Sequence, residues 1–155
     1  MRENFPKCLE FTLQFEGGWS DHPRDPGGAT MKGVTLATFS QYLGRRATKT
    51  ELRSITRAQL ESIYRLRYWN LVAGDILPAG VDLMLFDIAV NSGPGRAERF
   101  DEQCDNLHPR ERILKLDKLR MGFYRHLPTW ATFGKGWTRR ERACCALALK
   151  MAAGQ

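Results

Sequence analysis

A chain that reads as helix almost throughout is interrupted once, and the interruption limits what it can fold into. Residues 19–35, Trp-Ser-Asp-His-Pro-Arg-Asp-Pro-Gly-Gly-Ala-Thr-Met-Lys-Gly-Val-Thr, contain two prolines and three glycines. Proline has no N–H to give a helix, and aspartate shortly before proline favours turns. The segment is therefore expected to be a turn-rich loop holding one short β-hairpin. Just before it, Phe5, Cys8, Leu9, Thr12, Leu13 and Glu16 recur at intervals of three and four. That spacing gives a helix with one largely apolar stripe, ended by Gly17-Gly18. Glu16 stands on its last turn, on or beside the buried stripe, an unusual place for a carboxylate.

Helical periodicity resumes after the loop. Residues 36–43 form a short helix ended by Gly44, and Thr56-Arg57-Ala58-Gln59 is a capping box. It opens a helix to about Trp69 with Leu60, Ile63, Tyr64 and Tyr68 inward. Residues 81–90 are apolar nearly all round and are expected as the central core helix, closed by Asn91-Ser92-Gly93. Helices over 94–104 and 109–127 follow, the second with Ile113, Leu116, Leu119 and Phe123 inward. Thr138 is expected to cap a last helix to about Ala152. With no repeat or linker, the 155 residues read as a single domain, 1–155, mainly α (α+β) with one hairpin near its start.

Composition narrows the function classes. No window approaches the roughly 18 consecutive apolar residues that span a bilayer, so stable membrane insertion is not expected. Met1-Arg2-Glu3-Asn4-Phe5-Pro6 lacks the apolar core of a signal peptide, so synthesis in the cytoplasm without that export route is expected. Cys8, Cys104, Cys144 and Cys145 form no CxxC pair, and adjacent Cys144 and Cys145 in an apolar helical run read as reduced, partly buried thiols. His22, His108 and His126 are far apart, so no metal site and no cofactor are expected. The net charge is +7, unevenly spread. Residues 1–95 hold 11 basic and 10 acidic groups, whereas residues 96–155 hold 13 basic and 7 acidic. A basic C-terminal third suits an anionic partner, whether nucleic acid, a membrane surface or a bacterial wall, and equally a set of solvated helix faces. A nucleic-acid-binding helical module is disfavoured, because no helix-turn-helix, RRM or interleaved basic and aromatic strip is present.

The loop carries the chemistry. A carboxylic acid in partly apolar surroundings keeps its proton to higher pH and can donate it, while a second carboxylate on a polar loop stays ionised. Glycosidic-bond cleavage needs that pair across a cleft. Glu16 is the candidate acid, with Asp21, Asp25 and Thr30 in the following loop. The alternative is that Glu16 caps or salt-bridges while Asp21 and Asp25 shape turns. Trp19, Tyr68 and Trp69 could stack on sugar rings or simply pack the core, Trp19 being the best cleft candidate. Asn91 could bind an acetamido group or cap a helix end. Trp130 and Trp137 read as hydrophobic anchors beside glycine-rich turns.

Three blocks carry a family resemblance. Glu16-Gly17-Gly18-Trp19, Asp21, Pro23, Asp25-Pro26-Gly27-Gly28-Ala29-Thr30 and Gly33-Val34-Thr35 closely resemble the opening signature of the glycoside hydrolase family 108 muramidases. Phe86-Asp87-Ile88-Ala89-Val90-Asn91-Ser92-Gly93-Pro94 with Arg96-Ala97 is similar to that family's central helix. Phe133-Gly134-Lys135-Gly136-Trp137 with Arg139-Arg140 is similar to its closing motif. The resemblance implies a lysozyme-like fold and hydrolysis of the β-1,4 bond between N-acetylmuramic acid and N-acetylglucosamine in peptidoglycan. Glu16 matches the family's catalytic glutamate and is expected as general acid.

Asp25 lies nine residues on, the separation of acid and aspartate in phage lysozymes with a Glu–Asp–Thr triad. The threonine of that triad falls here on Met31, one place after Thr30, and Asp21 competes with Asp25 as second carboxylate. Catalytic Glu16, Asp25 and Thr30 and substrate-binding Asp21, Trp19, Trp69 and Asn91 are thus the expected site. The family's glycine-rich turn in the peptidoglycan-binding half is missing, so that region, about 94–155, reads as shortened. A lytic transglycosylase and an inactive peptidoglycan-binding protein remain as alternatives. A monomeric wall hydrolase is expected, released through a holin-like pore or carried by a secretion apparatus.

Overall fold

The computed structural model describes residues 1–22 and 28–154. Helix α1 (Phe5–Glu16) leads into strands β1 (Trp19–Ser20), β2 (Thr30–Met31) and β3 (Val34–Thr35). Helices α2 (Leu36–Leu43), α3 (Lys49–Arg53), α4 (Arg57–Tyr64), α5 (Val81–Ser92), α6 (Pro94–Asp101), α7 (Pro109–Arg125) and α8 (Trp130–Ala153) follow. The expected class holds: mainly helical, with a small antiparallel sheet after the first helix.

The expected hairpin is β2–β3, pairing Thr30 with Thr35 and Met31 with Val34. Its two turn residues, Lys32 and Gly33, both have positive φ, 48° and 77°. That is the twist a two-residue turn needs to match paired strands. Beyond the expectation, β1 adds a third strand, with Trp19 opposite Met31 and Ser20 opposite Thr30.

Helix α5 is the hub. Residues 81–89 are all buried, and α1, α6, α7 and α8 pack around it. Burying that many apolar side chains, each contributing about 1.5–3 kcal/mol, is what holds the helices together. At one end Phe5, Trp69 and Phe86 meet edge to face, with ring centroids 5.2, 5.6 and 5.9 Å apart. The thiols are free, with Cys8, Cys104 and Cys144 buried.

Three boundaries differ from expectation. The helix opened by the Thr56–Gln59 capping box is α-helical only to Tyr64 and widens into a π-helical turn over Arg65–Trp69. Helix α3 is additional: it buries only Leu52, too little for a periodic signal, although Thr48 and Glu51 form a capping box. Most consequential, Thr138 does not cap α8. The helix starts at Trp130 and runs straight through Gly134 and Gly136. Thr138 lies inside it and donates its hydroxyl back to the Gly134 carbonyl at 2.7 Å. Glycine is a poor helix former, by about 1 kcal/mol against alanine, so sequence read these positions as turns. Packing overrides that: the Trp130 ring lies where a Gly134 Cβ would be, within 2.6 Å, and Trp137 stacks on Tyr124 at 5.1 Å.

Candidate active site

Glu16 ends α1, where Gly17 turns the chain with a φ of 69°. Its side chain is 20% exposed, so the carboxyl is reachable yet mostly enclosed. Oε1 accepts a hydrogen bond of 2.8 Å from Nη1 of Arg140 on α8. The β2–β3 turn closes over the other oxygen. A Cβ placed on Gly33 would lie 2.9 Å from Glu16 Oε2 and 2.4 Å from the Tyr64 hydroxyl. The backbone can come this close only as glycine. Tyr64 fixes the turn from below by donating to the Lys32 carbonyl at 2.8 Å. Burial, then the nearby Glu16 charge, push the Tyr64 hydroxyl far above its ordinary range, so it serves as a neutral donor.

Behind Glu16 runs a buried chain of alternating charge. Arg140 donates from Nε and Nη2 to the two oxygens of Asp87 on α5, at 3.0 and 2.8 Å. Asp87 also accepts from Arg120 Nη2 of α7 at 2.7 Å and from the Thr12 hydroxyl of α1 at 2.8 Å. Arg120 in turn meets Glu141 at 2.6 Å, off the geometry of a proper hydrogen bond. Asp87 and Arg120 are fully buried. Burial favours the neutral form of Asp87, but the two guanidinium groups outweigh it and hold the carboxyl at about 2. Glu141 goes the other way: burial dominates, Arg120 only partly offsets it, and the carboxyl is pushed up to about 7.

The remaining expected residues fall in several places. Asp21 is on the exposed edge after β1, with both carboxylate oxygens 3.0 Å from Lys49 Nζ. Thr30 sits in β2 between Ser20 and Thr35. Asp25 lies outside the described residues. Trp19 is half-buried with Arg53 stacked 5.5 Å over its ring. Trp69 is corrected from a substrate-binding candidate to a core residue: it is 0% exposed and its indole N–H is spent on Asp75 at 2.7 Å. Asn91 is exposed at the end of α5, its amide oxygen accepting from the Tyr124 hydroxyl. Tyr124 itself accepts from Arg120 Nε at 2.7 Å, which ties Asn91 to the buried chain.

Sequence reasoning gave Tyr64 only an inward place in its helix and assigned no role to Arg140, Asp87 or Arg120, although Asp87 and Arg140 stand in the motif blocks. Their signal was a charged residue on an otherwise apolar helix face, Asp87 within 81–90 above all. The arrangement offers one enclosed carboxyl with an oriented hydrogen-bond donor behind it and a glycine turn in front. A carboxyl so held is within the chemistry of proton transfer to or from a bound group. A groove of about 590 Å³ on α8, lined by Trp130, Lys135, Arg139 and Arg142, does not include Glu16. Among the described residues no group of three or more His, Cys, Asp or Glu could hold a metal ion.

The sequence pattern described as Glycosyl hydrolase 108 matches residues 9–93, the span from α1 to the end of α5. Among solved structures, one described as the structure of Brucella abortus SagA is similar over 98% of this chain and 97% of that chain. The two are 37% identical, with a TM-score of 0.85. Among curated proteins none matches the chain.

Proposed function

The chain belongs to the glycosyl hydrolase 108 family, and from that premise we propose that it is a muramidase cleaving the β-1,4 bond between N-acetylmuramic acid and N-acetylglucosamine, with Glu16 as general acid. The single observation that carries this reading is the position of the Glu16 carboxyl. It is mostly enclosed, held by Arg140 and set against the Gly33 turn, at the junction of α1 and the sheet. Glu16 protonates the leaving glycosidic oxygen. A carboxylate of the following loop, Asp25 or Asp21, faces the developing positive charge or activates water. Asp21 in its Lys49 pair would have to be released first, which favours Asp25. Thr30 and Trp19 line the approach, and Asn91 offers an amide to an acetamido group. The protein works as a monomer on the anionic wall, reached through a holin-like pore or a secretion apparatus.

Glu16→Gln tests the assignment. It should abolish wall clearing while sedimentation with purified peptidoglycan persists; equal clearing by variant and wild type refutes it. Mass spectrometry of the digest checks the reaction: reducing ends are expected, and 1,6-anhydro ends would convert the reading to a lytic transglycosylase.

A further inference from the structure

Glu16 presents a problem that its immediate contact does not solve. A guanidinium 2.8 Å from a carboxylate stabilises the anion, whereas a general acid must carry its proton at working pH. The answer lies one contact further in. We propose that Asp87 is a positioning residue for Glu16: it grips Arg140 side-on, directs the remaining Nη1 toward the Glu16 carboxyl, and cancels the charge that would otherwise fix that carboxyl as an anion. The proposal rests on the general-acid reading above.

Geometry supplies the first half. A guanidinium is planar, so two bonds from Nε and Nη2 to the two Asp87 oxygens set the direction of Nη1. Asp87 is itself immobilised. Oδ1 takes Thr12 and Arg140, and Oδ2 takes Arg120 and Arg140, so four donors from three helices fix one carboxylate. Glu16 is thereby oriented from α5, through α8.

Charge supplies the second half. Asp87 is felt by Cys8 on α1 and Tyr64 on α4, and Glu16 on α1 meets it through Arg140. Arg120 on α7 and Arg140, Glu141 and Cys144 on α8 complete the set among the described residues. The thiols and Tyr64 are neutral at working pH, since burial raises all three. Glu141, pushed up to about 7, carries its proton below that pH, so there two arginines stand against Asp87 and Glu16. Asp87, ionised and wholly buried, is the charge that frees Glu16 from serving as the counter-ion of Arg140. Without it, Glu16 would be the one carboxylate left on Arg140 among the described residues.

The test is the pH profile of peptidoglycan hydrolysis in two variants whose effects have opposite sign. Asp87→Asn should move the alkaline limb to lower pH by about one unit, because Glu16 is then held as the anion. Its kcat at the optimum should fall with little change in KM. Arg120→Gln should move the limb to higher pH, because Asp87 is then spent on Arg140 alone. Arg120 touches neither Glu16 nor Arg140, and Glu141 can take up a proton when it goes. That variant therefore decides the matter should Asp87→Asn fail to fold by circular dichroism. A purely structural role would lower the amplitude and leave the limb in place; an unmoved limb in either folded variant overturns the proposal. Glu16→Gln separates the two readings. If it is inactive while the limb stays put, positioning alone fails; if it clears walls normally, both fail.

Discussion

Glu16 and Arg140 are 124 residues apart in the chain and share a hydrogen bond of 2.8 Å. It joins the end of the first helix to the middle of the last, so the candidate acid is oriented by the whole bundle rather than by its own loop. Arg140→Lys keeps the charge but replaces the fork by a single ammonium, which cannot hold Asp87 at two points and reach Glu16 as well. We expect a loss of stability of about 2 kcal/mol in urea unfolding. Hydrolysis should fall at least about tenfold, equivalent to about 1.4 kcal/mol of transition-state stabilisation. Wild-type turnover in a folded Arg140→Lys variant would show that Glu16 needs no oriented donor.

Gly33 and Gly28 allow conformational strain to be separated from close contact. Both have positive φ, 77° and 67°. A Cβ on Gly33 meets Tyr64 and Glu16, whereas one on Gly28 meets nothing within 4 Å among the described residues. Either substitution by alanine should cost about 1–2 kcal/mol for the left-handed backbone. Only Gly33→Ala should also push the turn away from Glu16, so melting temperature should fall in both and wall clearing should collapse in Gly33→Ala alone.

The buried carboxyls make stability depend on pH in two directions. Glu141 holds a proton up to about pH 7 in the folded protein, against an ordinary value of 4.5. Between those values the folded state binds the extra proton, so stability falls as pH rises through that window. Asp87, held at about 2 against an ordinary 3.8, does the reverse. Its contribution is complete above 3.8 and is lost as pH falls toward 2. Thermal unfolding should therefore be most resistant at about pH 4. In Glu141→Gln the decline toward pH 7 should disappear while the acid-side loss remains.

Much of this could be read from the chain before any coordinates. The glycine and proline run after Glu16 excludes helix by elementary backbone chemistry, and the stretch at 81–90, apolar but for Asp82 and Asp87, reads as a core helix. Both are local signals. Glu16 stood out for the same reason, as a carboxylate on an apolar stripe. What sequence could not deliver was pairing at a distance. Asp87 and Arg140 sit in recognisable blocks, yet nothing in either block says that one grips the other across 53 positions. Trp69 shows the converse: an aromatic beside Tyr68 looks equally suited to cleft or core, and only burial decides. The glycines of α8 misled because intrinsic propensity argues for a break there, while the fit of the Trp130 ring over Gly134, a tertiary fact, argues against it.

The excess of charge in residues 96–155, 13 basic against 7 acidic groups, is only partly consumed inside the protein. Arg120 and Arg140 are buried in the Asp87 network and offer nothing to an external partner. Lys135, Arg139 and Arg142 are exposed on α8 and form no ion pair among the described residues. Grouped on one helix, they would draw an anionic wall to α8. Attraction of this kind is screened as the Debye length shrinks from about 10 Å at 0.1 M salt to about 3 Å at 1 M. Wall clearing should therefore slow as salt is raised over that range. The triple variant Lys135→Ser, Arg139→Ser, Arg142→Ser should clear more slowly at low salt and respond less to added salt. Turbidity assays at several ionic strengths read both effects. A triple variant with the wild-type salt response would place the attraction elsewhere on the surface.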